Sequence, residues 1–442
     1  MTEITNSSPA AIKAASPAAG AQMIQPVRGM NDVLPADIAA WQRLEQMARE
    51  LFASYAYNEI RVPIVEQTAL FKRSIGEYTD IVSKEMFTFT DPGGDSLTLR
   101  PEATAGIVRA MISNGLLHNQ RQRVWCSGPM FRHEKPQRGR FRQFYQIDAE
   151  AFGYPGPDID AELIMLSARL LSKAGIENVE LNLNSLGTPE SRRRYREQLV
   201  AYFSAYKAKL DPDSLRRLDG NPLRILDSKN PDLQDIIAAA PVLTEYLDEE
   251  SRRHFDGLQR HLDAVGIKYV INPRLVRGLD YYSHTVFEWV TTQLGSQGAV
   301  CSGGRYDGLV SQLGGEGVPA MGWALGQERI IELLRVQGMI TPAPAPDVYF
   351  VIAGERAEAA GLALAERLRN TVPALKIETN CGGGSFKSQL KRADKSGARF
   401  AIILGDSETE RRVVGLKSLR VEQPQAELSW DALAGELQSR LQ

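Results

Sequence analysis

Apolar side chains recur at helical spacing over residues 36–57, where Trp41, Leu44, Met47, Leu51 and Tyr55 share one side. The run after it, Glu59-Ile-Arg-Val-Pro-Ile-Val, is strand-like, and Leu97-Thr-Leu-Arg is another, ended by Pro101. Residues 103–115 return to a helical pattern. Arg123 to Phe131 and Phe141 to Phe152 then read as two strands around a basic loop that contains Pro and Gly. Strands punctuated by helices, without regular βαβ alternation, predict a mixed or antiparallel α+β domain.

The pattern changes at about residue 188. From there to about 265 it is charged and helical, which predicts a helical insertion. Strand-like sequence returns at Lys268-Tyr-Val-Ile and Val286-Phe-Glu-Trp-Val. A Pro-Ala-Pro-Ala-Pro run at 342–346 marks the clearest domain boundary. Beyond it strands at Val348 to Ala353, 375–379 and Phe400 to Leu404 alternate with helices around 357–370 and 385–396. That alternation predicts a small α/β domain with a largely parallel sheet. Residues 1–22, rich in Ala, Ser and Pro, read as a disordered tail. The division is therefore a tail at 1–22, a domain at 23–340 and a second at 347–442.

A chain of 442 residues suits two or three domains. Its net charge of −2 gives no global argument for a nucleic-acid partner, so any such surface is a local patch. The cysteines, Cys126, Cys301 and Cys381, lie far apart with no Cys-x-x-Cys pair. That argues against a disulfide framework or a zinc site and fits a reducing compartment. No apolar run approaches a membrane span, and the first residues lack the pattern of a secretory signal.

Five segments concentrate chemistry. In Leu275-Val-Arg-Gly-Leu-Asp-Tyr-Tyr, a guanidinium, a carboxylate and two phenols follow two apolar residues. Buried charge must be paired, and Arg277 could pair with Asp280 while the tyrosines join the core. In Arg100-Pro-Glu-Ala-Thr-Ala, Glu102 falls where a strand gives way to a helix; alone, it reads as an acid favourable to the helix dipole. Phe131-Arg-His-Glu leads through Lys135-Pro-Gln-Arg-Gly-Arg into a strand whose period-two face carries Arg142, Phe144, Gln146, Asp148 and Glu150. Such a face is solvated or lines a polar pocket. Gly303-Gly-Arg-Tyr-Asp-Gly-Leu offers backbone able to lie against a ligand, a weak signal alone. Gly322-Trp-Ala-Leu-Gly-Gln-Glu-Arg ends in Arg329, by itself an exposed helix arginine. Cys381-Gly-Gly-Gly-Ser-Phe-Lys-Ser is no phosphate loop, because Phe386 stands where the Walker pattern needs Gly.

In identity, order and spacing these segments resemble the signatures of bacterial-type histidyl-tRNA synthetases, from about Met23 to the C-terminus. The resemblance implies a class II synthetase catalytic domain, with an antiparallel sheet flanked by helices and a helical insertion, and a C-terminal α/β anticodon-binding domain. It implies that Glu102 and Thr104 hold the α-amino group of histidine, with Gln146 and Glu150 facing the amino acid and Tyr281 and Tyr282 lining the imidazole pocket. Arg132 then grips the ATP α-phosphate with Glu134 assisting. Arg277 serves the same phosphate, Gly326 makes room for adenine, and Arg329 holds the γ-phosphate. The catalytic set is Arg132, Arg277 and Arg329. Gln137, Arg138 and Arg142 lie toward the tRNA acceptor end, in a loop whose cations are Lys135, Arg138 and Arg140. Pro63 resembles the motif 1 proline of a dimer interface. The implied reaction joins L-histidine to tRNA(His) through a histidyl-adenylate, with ATP as substrate and Mg²⁺ bridging its β- and γ-phosphates, in a cytoplasmic homodimer; the metal ligands stay open. Competing readings are a non-catalytic paralogue that senses histidine, a pure tRNA-binding protein, and another class II synthetase. The first should lack the nucleotide arginines and the C-terminal domain.

Overall fold

The computed structural model describes residues 23–76, 79–228, 230–295, 298–340 and 344–441. The expected tail at 1–22 lies outside them, as does part of the Pro-rich run. The chain divides into two compact units, residues 1–341 and 342–442.

The first unit is built on an eight-stranded sheet. Its order is Asn58–Glu59, Gln122–Phe131, Gln143–Phe152, Ala320–Gly326, Ala299–Arg305, Ser283–Val290, Glu180–Ser185 and Val270–Ile271. The six inner strands are antiparallel to their neighbours, and the two-residue edge strands pair parallel. One face packs on the helices Ile38–Ser54 and Pro157–Lys173, burying Trp41, Leu44, Leu51, Trp125, Ile147, Phe287 and Trp323 in one core. The predicted apolar side of Ile38–Ser54 is the buried one, with Met47 and Tyr55 partly covered. The other face meets the helix Thr104–Ser113 and the insertion, in a second core that includes Val124, Met130 and Val286.

The strand-like run from Glu59 is not one strand. Asn58–Glu59 joins the large sheet, while Val65–Gln67 joins a separate three-stranded sheet with Ser96–Leu99 and Phe87–Thr90. Pro63 stands between them, has no N–H for a ladder, and lets the chain change sheets there.

The insertion is helical, as expected. Its longer helices, Pro189–Ser204, Pro212–Gly220 and Glu249–Ala264, start at Thr188, Asp211 and Asp248, whose side chains accept amide hydrogens from Ser191, Ser214 and Ser251. In the second unit the order is Ile377–Thr379, Val348–Ala353, Phe400–Gly405, Val413–Ser418 and Ala426–Ser429. The first three strands are parallel and the last two antiparallel, so the sheet is less parallel than the pattern predicts. The helix Asp406–Arg411 is too short for a parallel crossover, and Arg412, at φ 54°, turns the chain straight back.

Candidate active site

Sheet register assembles the site. Asn182, Glu288, Ser302, Ala324, Asp148 and Cys126 stand opposite one another in a single row across six strands. Residues directly opposite share a face, so strands distant in sequence deliver adjoining polar groups. Above this face opens a cavity of about 290 Å³. Every residue assigned above to histidine or ATP lines it except Glu150.

One end is acidic and phenolic. Glu102 accepts the amides of Thr104 and Ala105, each at 2.9 Å, so it does cap its helix while facing the cavity. Burial raises its pKa against those amides and Arg132. Glu150 lies behind the lining. The Thr104 hydroxyl donates to its Oε1 at 2.6 Å, and the Tyr306 hydroxyl donates to its Oε2. Gly322 leaves room for this, since a Cβ there would fall 1.5 Å from Glu150 Oε2. Burial, with Glu102 nearby, pushes the Glu150 pKa up to about 8 despite both hydroxyls. Tyr281 stands 3.5 Å from Glu102, and its ring lies 4.6 Å from that of Tyr282 and 5.5 Å from that of Tyr306. Gln146 Oε1 is buried and has no hydrogen-bond partner, nor has either carboxylate oxygen of Asp148. Burial and Glu150 hold Asp148 well above the usual carboxylate range.

The other end is cationic. Arg132 donates to Pro101 O at 2.8 Å and lies 5.3 Å over the Phe144 ring. Arg277 donates to Glu288 at 2.8 Å and to Ser302 at 2.6 Å, while its buried Nε has no partner. Burial opposes the Arg277 charge, but Glu288 beside it keeps the guanidinium firmly protonated. Arg329, in the first turn of Gln327–Val336, donates to Ala299 O. Arg140, which sequence reasoning left among loop cations, lines the same end and pairs with Glu134. Burial and the neighbouring cations Arg140 and Arg132 bring Arg329 down to about 10. Burial likewise lowers Arg132, with Arg277 adding to it, and Arg140, with Arg132 adding to it. Arginines crowded so closely form a receptor for a polyanion. A Cβ at Gly326 would meet only the Arg329 side chain, at 3.8 Å, so that part of the wall is open.

The three residues assigned to the tRNA end do not line the cavity. Gln137 bridges to Arg140 across the loop turn, Arg138 is 2.5 Å from Glu332, and Arg142 donates to Glu134 O at 3.3 Å.

The segment Leu275 to Tyr282 is a loop, and the next strand starts at Ser283. Two local readings change. Arg277 and Asp280 do not pair with each other: Arg277 takes Glu288, and Asp280 accepts from Asn221 at 2.7 Å. Gly303 and Gly304 serve strand packing rather than a ligand, because a Cβ would fall 2.1 Å from Gly322 O and 2.5 Å from Thr285 O respectively. Sequence reasoning also passed over Tyr306, Ser302 and Glu288. Tyr306 and Glu288 sat inside quoted runs; what joins Glu288 and Ser302 to the site is cross-strand register.

Known proteins resemble this chain over nearly all of its length. Residues 29–330 match the family model described as histidyl-tRNA synthetase, and residues 347–440 match an anticodon binding domain. The chain is 54% identical over 420 residues to a histidine–tRNA ligase of Hydrogenovibrio crunogenus, covering 95% of this chain and 99% of that one. Among solved structures, the apo histidyl-tRNA synthetase of S. aureus superposes with a TM-score of 0.79 at 34% identity, over 94% of this chain and all of that one. A histidyl-tRNA synthetase from Nostoc sp. PCC 7120 shares the fold, with a TM-score of 0.67 at 20% identity over 95% of this chain and all of that one.

Proposed function

This chain belongs to the histidyl-tRNA synthetase family, and from that premise we infer how its cavity carries out histidine–tRNA ligation. The enzyme activates L-histidine with ATP to histidyl-adenylate, releasing pyrophosphate, then transfers histidine to the 3′ end of tRNA(His), releasing AMP. The observation that carries the residue assignment is the division of one cavity into a carboxylate–phenol end and an arginine end.

Glu102 takes the α-ammonium group, with Thr104 beside it. Gln146, whose Oε1 is unsatisfied, is a ready acceptor for the bound amino acid. Tyr281 and Tyr282 wall the imidazole, and Glu150 acts on that pocket through Tyr306 and Thr104. An amino acid without ring nitrogens leaves such buried polar groups unpaired, which discriminates by roughly 10⁴-fold. Arg132 and Arg277 flank the α-phosphate, Arg329 holds the γ-phosphate, and adenine lies toward Gly326. No protein nucleophile is needed: catalysis is alignment of the histidine carboxylate on phosphorus, with cations at the developing charge.

Among the described residues no group of three or more His, Cys, Asp or Glu is arranged to hold a metal. Mg²⁺ would be carried by the nucleotide and would need only one or two protein carboxylates. Glu134 and Glu288 line the cationic end and are the carboxylates available to it, where the ion would offset charge on the β- and γ-phosphates. We assign residues 23–340 to catalysis and 347–442 to anticodon binding. Gln137, Arg138 and Arg142 approach the tRNA acceptor end from the loop. Next to Pro63, Ile64 and Val65 expose apolar side chains suited to a homodimer interface. The cysteines are free, as a cytoplasmic setting would keep them, and no helix among the described residues is long and apolar enough to cross a membrane.

The test is ATP–pyrophosphate exchange with each of the twenty amino acids, without tRNA but with Mg²⁺. Exchange with histidine alone is expected. No exchange from folded protein would overturn the catalytic assignment and favour a histidine-sensing regulator.

A further inference from the structure

The loop that carries Arg277, Tyr281 and Tyr282 is held at its start by the sheet, where Asn184 donates to Leu275 O at 3.0 Å, and further on from outside it. It joins the edge strand Val270–Ile271 to Ser283–Val290 and makes no strand ladder of its own between Asn272 and Tyr282. Three of its polar anchors come from the helical insertion. Asn221 Nδ2 donates to Asp280 at 2.7 Å, Arg224 Nη1 donates to Gly278 O at 2.8 Å, and Arg192 Nη1 donates to Tyr282 O at 2.5 Å. The anchored positions 278, 280 and 282 alternate with Arg277, Leu279 and Tyr281, which line the cavity. Asp280 is largely buried, and burial raises its pKa while Asn221, Arg224 and Arg192 pull it back. On the catalytic side the Asp280 amide donates to Ile75 O at 3.1 Å.

The insertion is also tied to the segment after Ile75. Arg217 and Arg224 both reach Asp80 Oδ2, at 3.2 and 3.4 Å. A wide cleft of about 1100 Å³ opens here, lined by Asp80, Arg217 and Arg224 and reaching the nucleotide-side residues Arg132, Arg140 and Glu288. Arg224 therefore both borders the cleft and holds the loop.

We propose that Asn221 and Arg224 are positioning residues for histidine activation: the insertion sets the loop that aims Arg277 and the two tyrosines, so its position governs the adenylation step. The proposal rests on the cavity assignment above. A bidentate or charge-assisted contact is directional, and a misplacement of about 1 Å at a reacting centre can cost roughly 100-fold in rate. The Arg277 backbone lies in no strand, and its guanidinium alone reaches the sheet, at Glu288 and Ser302, so loss of the clasp lets the loop shift beneath that side chain.

The experiment measures kcat and KM for histidine-dependent pyrophosphate exchange in Asn221→Ala, Arg224→Ala, Asp280→Asn, and the reciprocal exchange Asn221→Asp with Asp280→Asn. Thermal unfolding is followed in each. The two alanine variants should lose roughly 10- to 100-fold in kcat. Their midpoints should move by no more than about 5 °C, as expected for one lost hydrogen bond. The reciprocal pair, which restores an amide donor facing a carboxylate, should recover most of the rate lost in Asn221→Ala. Unchanged kcat in both alanine variants would overturn the proposal. So would a loss that the reciprocal pair fails to restore, or one matched by general unfolding. Absence of histidine-dependent exchange in the unsubstituted protein would instead refute the cavity assignment, so the two failures are distinct.

Discussion

The two ends of the cavity solve opposite electrostatic problems with the same tool, burial. At the end proposed for histidine, burial acts on carboxylates: Glu102, Asp148 and Glu150 all have raised pKa values, Glu150 to about 8. At the end proposed for the nucleotide it acts on guanidiniums, and Arg132 and Arg329 have lowered ones, Arg329 to about 10. The histidine end satisfies Glu150 internally, through Thr104 and Tyr306. The nucleotide end leaves Arg277 Nε unpartnered and crowds like charges together. In the proposed assignment one end is preformed around hydrogen bonds that would reject the wrong side chain, and the other gathers like charges that a triphosphate would relieve.

The sharpest way to break this contrast is at Arg277. Arg277→His should lower kcat for adenylate formation by roughly 10²- to 10³-fold, while the histidine dissociation constant, read by calorimetry, moves only a few-fold. Equal losses in both would merge the two ends into one functional unit.

Next in size is Glu150→Gln. A glutamine can still accept from Thr104 and can donate to the Tyr306 oxygen, so the fold should survive. Reversing the Tyr306 contact, so that its hydroxyl accepts where it donated, should cost roughly 100-fold in kcat/KM for histidine. An effect confined to KM for ATP would show that the ends are not separate.

The same substitution reads out burial through pH. Native Glu150, with a pKa of about 8 against an ordinary 4.5, keeps a proton that the unfolded chain gives up between those values. In that window the native state binds more protons, so this group makes stability fall as pH rises from about 4.5 to 8. Melting curves of the parent and Glu150→Gln should therefore diverge progressively with pH, the variant gaining on its parent. Parallel curves would mean that Glu150 is not desolvated as described.

The smallest effect belongs outside the cavity. Arg138 is more than half exposed and pairs only with Glu332 among the ion pairs described. Arg138→Ala should weaken tRNA use a few-fold and reduce the log–log salt slope of aminoacylation by about one. An unchanged slope would remove Arg138 from the tRNA surface.

What the chain spelled out by itself is local. The helix around Trp41 and Leu44, the strand–loop–strand from Arg123 to Phe152 and the helical insertion follow from periodicity, because a 3.6- or 2-residue repeat needs no distant partner to be recognised. The signature segments named the arginines, tyrosines and carboxylates of the site, since linear motifs keep residue identity and order. Tertiary structure decided the rest. Glu288, Ser302 and Asp148 came into one row only when four strands found their register, information that belongs to pairs of strands and not to any one of them. It sent the run at Pro63 into two sheets, turned the last two strands antiparallel, and drew Glu150 behind Tyr306. Charge and burial are likewise sums over contacts distant in sequence. That is why Glu102 read as an ordinary helix-capping acid in the sequence, and in the fold is both that cap and a wall of the cavity.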